Sequence, residues 1–166
     1  MSGRADNADL GRDGPELKVL VRDLYESYCA TLDDGDLNGW PDYFTEDCNY
    51  RVQSSENFDL GLPHAPIFCR GKGMLRDRVS ASGVMVYEKR RQRRFVTNVR
   101  ISEYEPVIRA SASFLLTECM LDRDPVLAMT GRYIDTLRKD NGRLLLQDRL
   151  CVYDNYRIVQ NLIYPI

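Results

Sequence analysis

The side chains in this sequence that could do chemistry are few, and histidine is the scarcest. His64 is the only one. A Rieske cluster takes two histidines and two cysteines. A facial-triad iron takes two histidines and a carboxylate. One chain with one imidazole completes neither set. Pro63 and Pro66 sit on either side of His64. The residue before each proline is pushed out of the helical region, so His64 reads as part of a loop. Three roles fit it: an exposed loop residue, a contact to a partner chain, or a catalytic acid.

The five cysteines are Cys29, Cys48, Cys69, Cys119 and Cys151, an odd number with wide spacings and no Cys-x-x-Cys. That pattern suits neither a disulfide framework nor a zinc site, and its simplest setting is a reducing cytoplasm. Each reads as a small apolar residue.

Carboxylates and phenols supply the remaining acid–base candidates. Asp135 lies in Thr130-Gly131-Arg132-Tyr133-Ile134-Asp135-Thr136. Asp148 shares parity with Leu144, Leu146, Leu150 and Val152. If that face is buried the carboxylate needs a partner, and an arginine is the natural one. The competing reading is an active-site acid. With Tyr43 and Tyr50, these aspartates could move a proton next to a carbonyl, a carboxylate acting as base and a phenol as donor.

Positive charge is concentrated in Lys89, Arg90, Arg91, Arg93 and Arg94. The run is either a solvated entry to a strand or a docking surface for an acidic face of another protein. Nucleic acid is disfavoured by a net charge of −2 and a pI near 5.5. No apolar run reaches the roughly 18–20 residues of a membrane span, and the first residues carry no signal-peptide core.

These groups need a scaffold. A chain of 166 residues reads as one domain, large enough to bury roughly 70% of its unfolded surface without staples. Residues 1–14 read as a disordered tail and 15–166 as the domain. Pro15 and Glu16 open a helix whose apolar stripe is Leu17, Leu20, Val21, Leu24, Tyr28 and Leu32. It should stop in Asp33-Asp34-Gly35-Asp36. Residues 36–44 read as a short second helix with Leu37, Trp40, Tyr43 and Phe44 on one side. Residues 48–53 read as a strand and 54–70 as a long loop. Residues 71–83 read as a third helix, with Gly83 as its left-handed cap.

Four runs then follow with period-two patterning: 94–101, 107–121, 126–137 and 144–153. Asp122-Arg123-Asp124-Pro125 and Lys139-Asp140-Asn141-Gly142 separate the last three. This is a meander of four long antiparallel strands. Asn141-Gly142 is the sharpest turn signal, because a type I′ hairpin needs positive φ at both central residues. In the first run Phe95, Thr97, Val99 and Ile101 share one face. The apolar end of the chain, with Ile158, Val159, Leu162, Ile163, Tyr164 and Ile166, should pack on the domain or on a neighbour.

Several local motifs fall in a recognisable order. They are Leu32-Asp33-Asp34-Gly35-Asp36-Leu37 with Trp40 and Tyr43-Phe44; Arg93-Arg94-Phe95-Val96-Thr97-Asn98-Val99; Gly131-Arg132-Tyr133-Ile134-Asp135 with Asp140-Asn141-Gly142; and Arg149-Leu150-Cys151-Val152-Tyr153-Asp154. Their order and spacing resemble the small (β) subunit of aromatic-ring-hydroxylating dioxygenases, over nearly the whole chain after Gly14. The resemblance implies an α+β, NTF2-like cone, akin to the SnoaL-like proteins. In it a long curved antiparallel sheet wraps an N-terminal helix, with two further short helices. It implies a non-catalytic chain without cofactor or metal of its own. The Rieske [2Fe–2S] cluster and mononuclear Fe(II) then belong to a catalytic large (α) subunit, and three copies of each chain form an α3β3 heterohexamer. Electrons come from NAD(P)H through a reductase and often a ferredoxin, and the substrate leans towards an aromatic acid such as salicylate or benzoate. The expected partner contacts are Arg90, Arg91, Arg93, Arg94, His64, Tyr164 and Ile166. Cones of this kind also serve stand-alone dehydratases and isomerases, for which Tyr43, Tyr50, Asp135 and Asp148 are the acid–base candidates, or as binding modules for a hydrophobic ligand.

Overall fold

The computed structural model describes residues 14–85, 90–103, 107–155, 158 and 162–166. Helix α1, Gly14–Asp33, buries Leu17, Val21, Tyr25, Tyr28, Cys29 and Leu32. These recur every three or four residues, the spacing of one helical face. The stripe is rotated from the expected one: Tyr25 is inside, whereas Leu20 is 42% exposed. Gly35, at φ +81°, ends the helix, a conformation that costs glycine little. Only Gly14 of the expected N-terminal tail lies within the described residues, and it is the first residue of α1.

The expected second helix is a four-residue 3₁₀ turn, Trp40–Tyr43. Phe44 already opens β1, Phe44–Ser54. The expected loop over 54–70 is more ordered than its composition suggested. It contains α2, Ser55–Asp59, whose N-cap Ser54 accepts the Asn57 N–H, and β2, Ile67–Arg70. Helix α3, Gly71–Met85, runs through Gly83, so this glycine is not its cap.

The meander is β3 (Arg90–Glu103), β4 (Ile108–Met120), β5 (Val126–Asp140) and β6 (Arg143–Tyr153). Its neighbours pair antiparallel. Asn141 and Gly142 take φ of +48° and +79° between the paired Asp140 and Arg143, as a type I′ turn requires. The six strands lie in the order β2-β1-β6-β5-β4-β3. The sheet is not wholly antiparallel, because β1 runs parallel to β6. Such a pairing needs a long crossover, here α2, β2, α3 and β3 to β5. Among the described residues no helix is long and apolar enough to cross a membrane.

Two irregularities reset which side chains face inward. At Asn98, φ is +55° and the β3–β4 register shifts between Thr97 and Arg100. The expected single face of Phe95, Thr97, Val99 and Ile101 is therefore broken. Arg94 is buried, Phe95 is 58% exposed, and Val99 is inside beyond the bulge. In β6 the pairs Leu137–Leu146 and Thr136–Asp148 leave Gln147 as an extra residue. Leu146 and Arg149 therefore face inward, and Asp148 does not. An inserted residue reverses every side chain after it.

The sheet packs on α1 around edge-to-face rings. Trp40 meets Tyr50 at 5.1 Å and Phe44 at 5.5 Å, and Phe44 meets Tyr28 at 6.3 Å. Pairs of this kind add about 0.5–1.5 kcal/mol each beyond area burial. Gly131 lies where β5 passes β6 and the Phe114 ring. A Cβ there would stand 2.1 Å from the Val152 carbonyl oxygen and 2.8 Å from Phe114. Gly131→Ala should therefore cost about 3 kcal/mol, a fall in Tm of roughly 6–12 °C, checked by thermal melts. The cysteines give a second check. Burial pushes the Cys29 and Cys48 thiols up to about 11 and Cys151 to about 12. Cys119 alone is half-exposed. At pH 8 the native chain should take one equivalent of iodoacetamide, at Cys119, and five after unfolding, read by mass spectrometry.

Candidate functional site

The interior of the cone is occupied by charge. Strand β5 puts Met129, Gly131, Tyr133, Asp135 and Leu137 on its inner face, and β6 puts Arg149 opposite Asp135. Arg149 Nε and Nη2 donate to Asp135 Oδ1 and Oδ2 at 3.1 and 2.7 Å, and neither side chain reaches solvent. The guanidinium carbon also lies 4.2 Å from the ring centres of Tyr28 and Tyr133 and 5.0 Å from Tyr25. Burial opposes the charge, yet Asp135 outweighs it and holds Arg149 protonated well above the ordinary range. Burial pushes the hydroxyls of Tyr25, Tyr50 and Tyr133 well above theirs. These phenols are held neutral, and both oxygens of Asp135 are engaged by Arg149.

The last residues seal this interior. The Ile166 N–H donates to Tyr50 Oη at 2.9 Å, and Tyr28 Oη donates to the Ile166 carbonyl at 2.8 Å. Trp40 Nε1 donates in turn to Tyr28 Oη at 3.0 Å. Arg94 Nη2 donates to the Pro165 carbonyl at 2.6 Å, while its Nη1 holds Asp33 Oδ1 at 2.6 Å. Arg78 Nη2 reaches the carbonyls of Leu162 and Ile163, both at 2.9 Å.

The four acid–base candidates do not converge. Tyr43 is near the surface, where its hydroxyl donates to the Ser27 carbonyl and meets Thr31 Oγ1. Tyr50 is committed to Ile166 and Asp135 to Arg149. Asp148 lies on the opposite face of β6 from Arg149 and accepts from Asn49 Nδ2 at 2.8 Å. The buried carboxylate that needed an arginine is thus Asp135, not Asp148. The alternation of β5 carried that signal, but the parity of β6 was obscured by the extra Gln147.

The partner-contact candidates also divide. A surface groove of about 450 Å³ runs between the end of α1 and the start of β3. Arg91 and Arg93 line it and are exposed, and Tyr164 lines it half-buried. Arg90 pairs with the buried Glu118 at 3.3 Å, and Arg94 is 7% exposed and anchored to Asp33 and Pro165. These two arginines shape the groove from within rather than reaching out. Ile166 is 1% exposed, so it belongs to this chain's own core and is not a projecting anchor. His64 is exposed between α2 and β2, at the sheet edge opposite β3, and does not join the basic run. Among the described residues no three His, Cys, Asp or Glu side chains are placed to hold a metal ion.

If Asp135 and Arg149 organise the interior, removing one charge is worse than removing both. Asp135→Asn should destabilise by about 3–5 kcal/mol, and the double change Asp135→Leu with Arg149→Met should recover most of that loss. Urea unfolding of the three chains is the measurement.

The family described as ring hydroxylating beta subunit matches residues 29–160. The small subunit of anthranilate 1,2-dioxygenase from Burkholderia cepacia is 30% identical over 145 residues, covering 86% of this chain and 90% of that one. Subunit beta 2 of the terminal oxygenase component of terephthalate 1,2-dioxygenase from Comamonas sp. is 30% identical over 140 residues, covering 83% and 91%. A crystal structure assigned as the beta subunit of an aromatic-ring-hydroxylating dioxygenase from Novosphingobium aromaticivorans superimposes with a TM-score of 0.84. It is 32% identical and covers 92% of this chain and 98% of that one. The filled cone, the meander and these likenesses agree, and the chain belongs to the ring-hydroxylating dioxygenase beta subunit family.

Proposed function

We propose that this chain is the non-catalytic, structural small subunit of a terminal oxygenase, built to bind and stabilise a catalytic large subunit. The observation that carries this reading is the closed interior. The space where a cone could hold a substrate is taken by Asp135, Arg149 and three tyrosine rings. Family membership supports the partner. In this reading the large subunit carries the Rieske [2Fe–2S] cluster and the mononuclear iron. The single histidine of this chain fits neither ligand set, so no chemical step is assigned to its residues. The complex is an α3β3 heterohexamer that draws electrons from NAD(P)H through a reductase, with or without a ferredoxin, and works in the cytoplasm. The five unpaired cysteines suit a reducing compartment. The substrate is an aromatic acid of the salicylate or benzoate type. The relatives named for anthranilate and terephthalate support that class, since both compounds carry a ring carboxylate.

The contribution of this chain is a rigid surface. Arg91, Arg93 and Tyr164 line the groove at the end of α1, and arginine and tyrosine are the residue types that anchor interfaces. Native mass spectrometry of the tagged chain from its own host should show a larger iron–sulfur protein in equal copy number. A colourless monomer or dimer without a companion would overturn the reading. Arg91→Glu should weaken assembly by about tenfold and leave the Tm of the isolated chain unchanged, because this side chain is exposed. Size-exclusion chromatography over a concentration series checks the first part and a thermal melt the second.

A further inference from the structure

Residues 162–166 are not part of the six-stranded sheet, yet their main chain is gripped along its length. Arg78 Nη2 donates to the carbonyls of Leu162 and Ile163, Arg94 Nη2 to that of Pro165, and Tyr28 Oη to that of Ile166. Tyr50 Oη accepts the Ile166 N–H. Each of these bonds joins a side chain of the domain to a main-chain atom of the segment. The four side chains come from α3, β3, α1 and β1.

The segment is not buried evenly. Leu162, Ile163 and Tyr164 are half-buried, whereas Pro165 and Ile166 are buried. Ile166 fills a closed pocket beside Cys151, whose Sγ lies 3.9 Å from the Ile166 carbonyl oxygen. Main-chain hydrogen bonds that give affinity and a side-chain pocket that gives specificity are the parts of a site for an extended peptide. The groups that grip the buried residues have other anchors. Asp33 accepts from both the backbone and the side chain of Arg94. Trp40 donates to the Tyr28 hydroxyl, and Arg149 lies over the Tyr28 ring. Groups already fixed in place lose little freedom when a ligand arrives.

We propose that the interior of the cone includes a peptide-binding site, which the chain fills with its own residues 162–166. The ligand class is an extended apolar peptide of the pattern Leu-Ile-Tyr-Pro-Ile. Arg78, Arg94, Tyr28 and Tyr50 hold its main chain, and the pocket beside Cys151 takes its isoleucine. The covalent join is not what seats the segment. It sets a local concentration that is roughly millimolar, so the site stays full and a free ligand competes poorly. This proposal is independent of the subunit reading, since it uses only groups within this chain.

A protease site inserted between Asn161 and Leu162 of the full chain lets the join be cut after folding. Native mass spectrometry should then find the cut segment still bound. On dilution it should leave and the Tm should fall, and added Leu-Ile-Tyr-Pro-Ile should raise the Tm again in step with its concentration. The same peptide carrying Ile166→Asp should have no effect, because its carboxylate would enter an apolar pocket. Tyr50→Phe should speed release of the cut segment about tenfold, by stranding the Ile166 N–H. A second test needs no cut. Fluorescently labelled peptide should bind the full chain carrying Ile166→Asp about a hundredfold more tightly than the unaltered chain, whose own segment competes. Loss of the segment with no recovery on adding peptide, recovery by the Ile166→Asp peptide, unchanged release from Tyr50→Phe, or equal binding by the two uncut chains would overturn the proposal.

Discussion

Arg149 carries a full charge into a place that water does not reach, and much of the fold is arranged around that demand. The guanidinium is planar and offers donors in a fixed fork. Asp135 meets that fork from the neighbouring strand, and the ring faces of Tyr28 and Tyr133 cover it at 4.2 Å. Tyr25 and Tyr28 come from α1, three residues apart and therefore on one helical face. The arrangement thus ties the helix to β5 and β6 through one side chain. A buried pair of this kind adds little stability compared with apolar residues of similar size. Its effect here is on register: a slip of one residue between β5 and β6 would separate Asp135 from Arg149 and leave a buried charge unanswered.

The end of the chain depends on a second buried arginine. Arg94 reaches Asp33 at the end of α1 with one nitrogen and the Pro165 carbonyl with another. Tyr28 belongs to both systems, since its ring covers Arg149 while its hydroxyl holds Ile166. The core and the closing segment are therefore coupled: displacing Ile166 would leave the hydroxyls of Tyr28 and Tyr50 short of a partner beside the buried guanidinium. An interior built this way resists being opened.

The parts of this structure that were legible in the sequence are those set by near neighbours. The four-strand meander, the Asn141–Gly142 turn and the long first helix follow from periodicity and turn chemistry. The motif order around Arg94, Tyr133 and Arg149 was enough to point to the family. What could not be read depends on events away from the residues concerned. Asn98 and Gln147 each change the parity of a strand, so Arg94 moved inside, Phe95 moved out, and Asp135 rather than Asp148 became the buried acid. The five-residue α2 is too short to display a period. The parallel pairing of β1 with β6 joins Tyr50 to Arg149 across most of the chain, and no local pattern encodes it. For the site, the sequence placed Arg94 in a solvated or docking run, when it is buried, and left open whether Ile166 packs on the domain or on a neighbour; it packs on the domain.

Strand β3 has a further consequence. It has a neighbour on one side only among the described residues, so its other margin is an open sheet edge over a 14-residue strand. Long open edges invite pairing with a strand of another molecule and lead to aggregation. Here the edge carries the exposed Arg91, Arg93 and Arg100, is bent by the Asn98 bulge, and has its Arg94 N–H taken by Asp33 Oδ2 at 2.9 Å. Repulsion between like strands, a broken ladder and an occupied donor all work against stacking. The charge that lines the groove also keeps newly made chains from adding to one another edge to edge before a partner arrives.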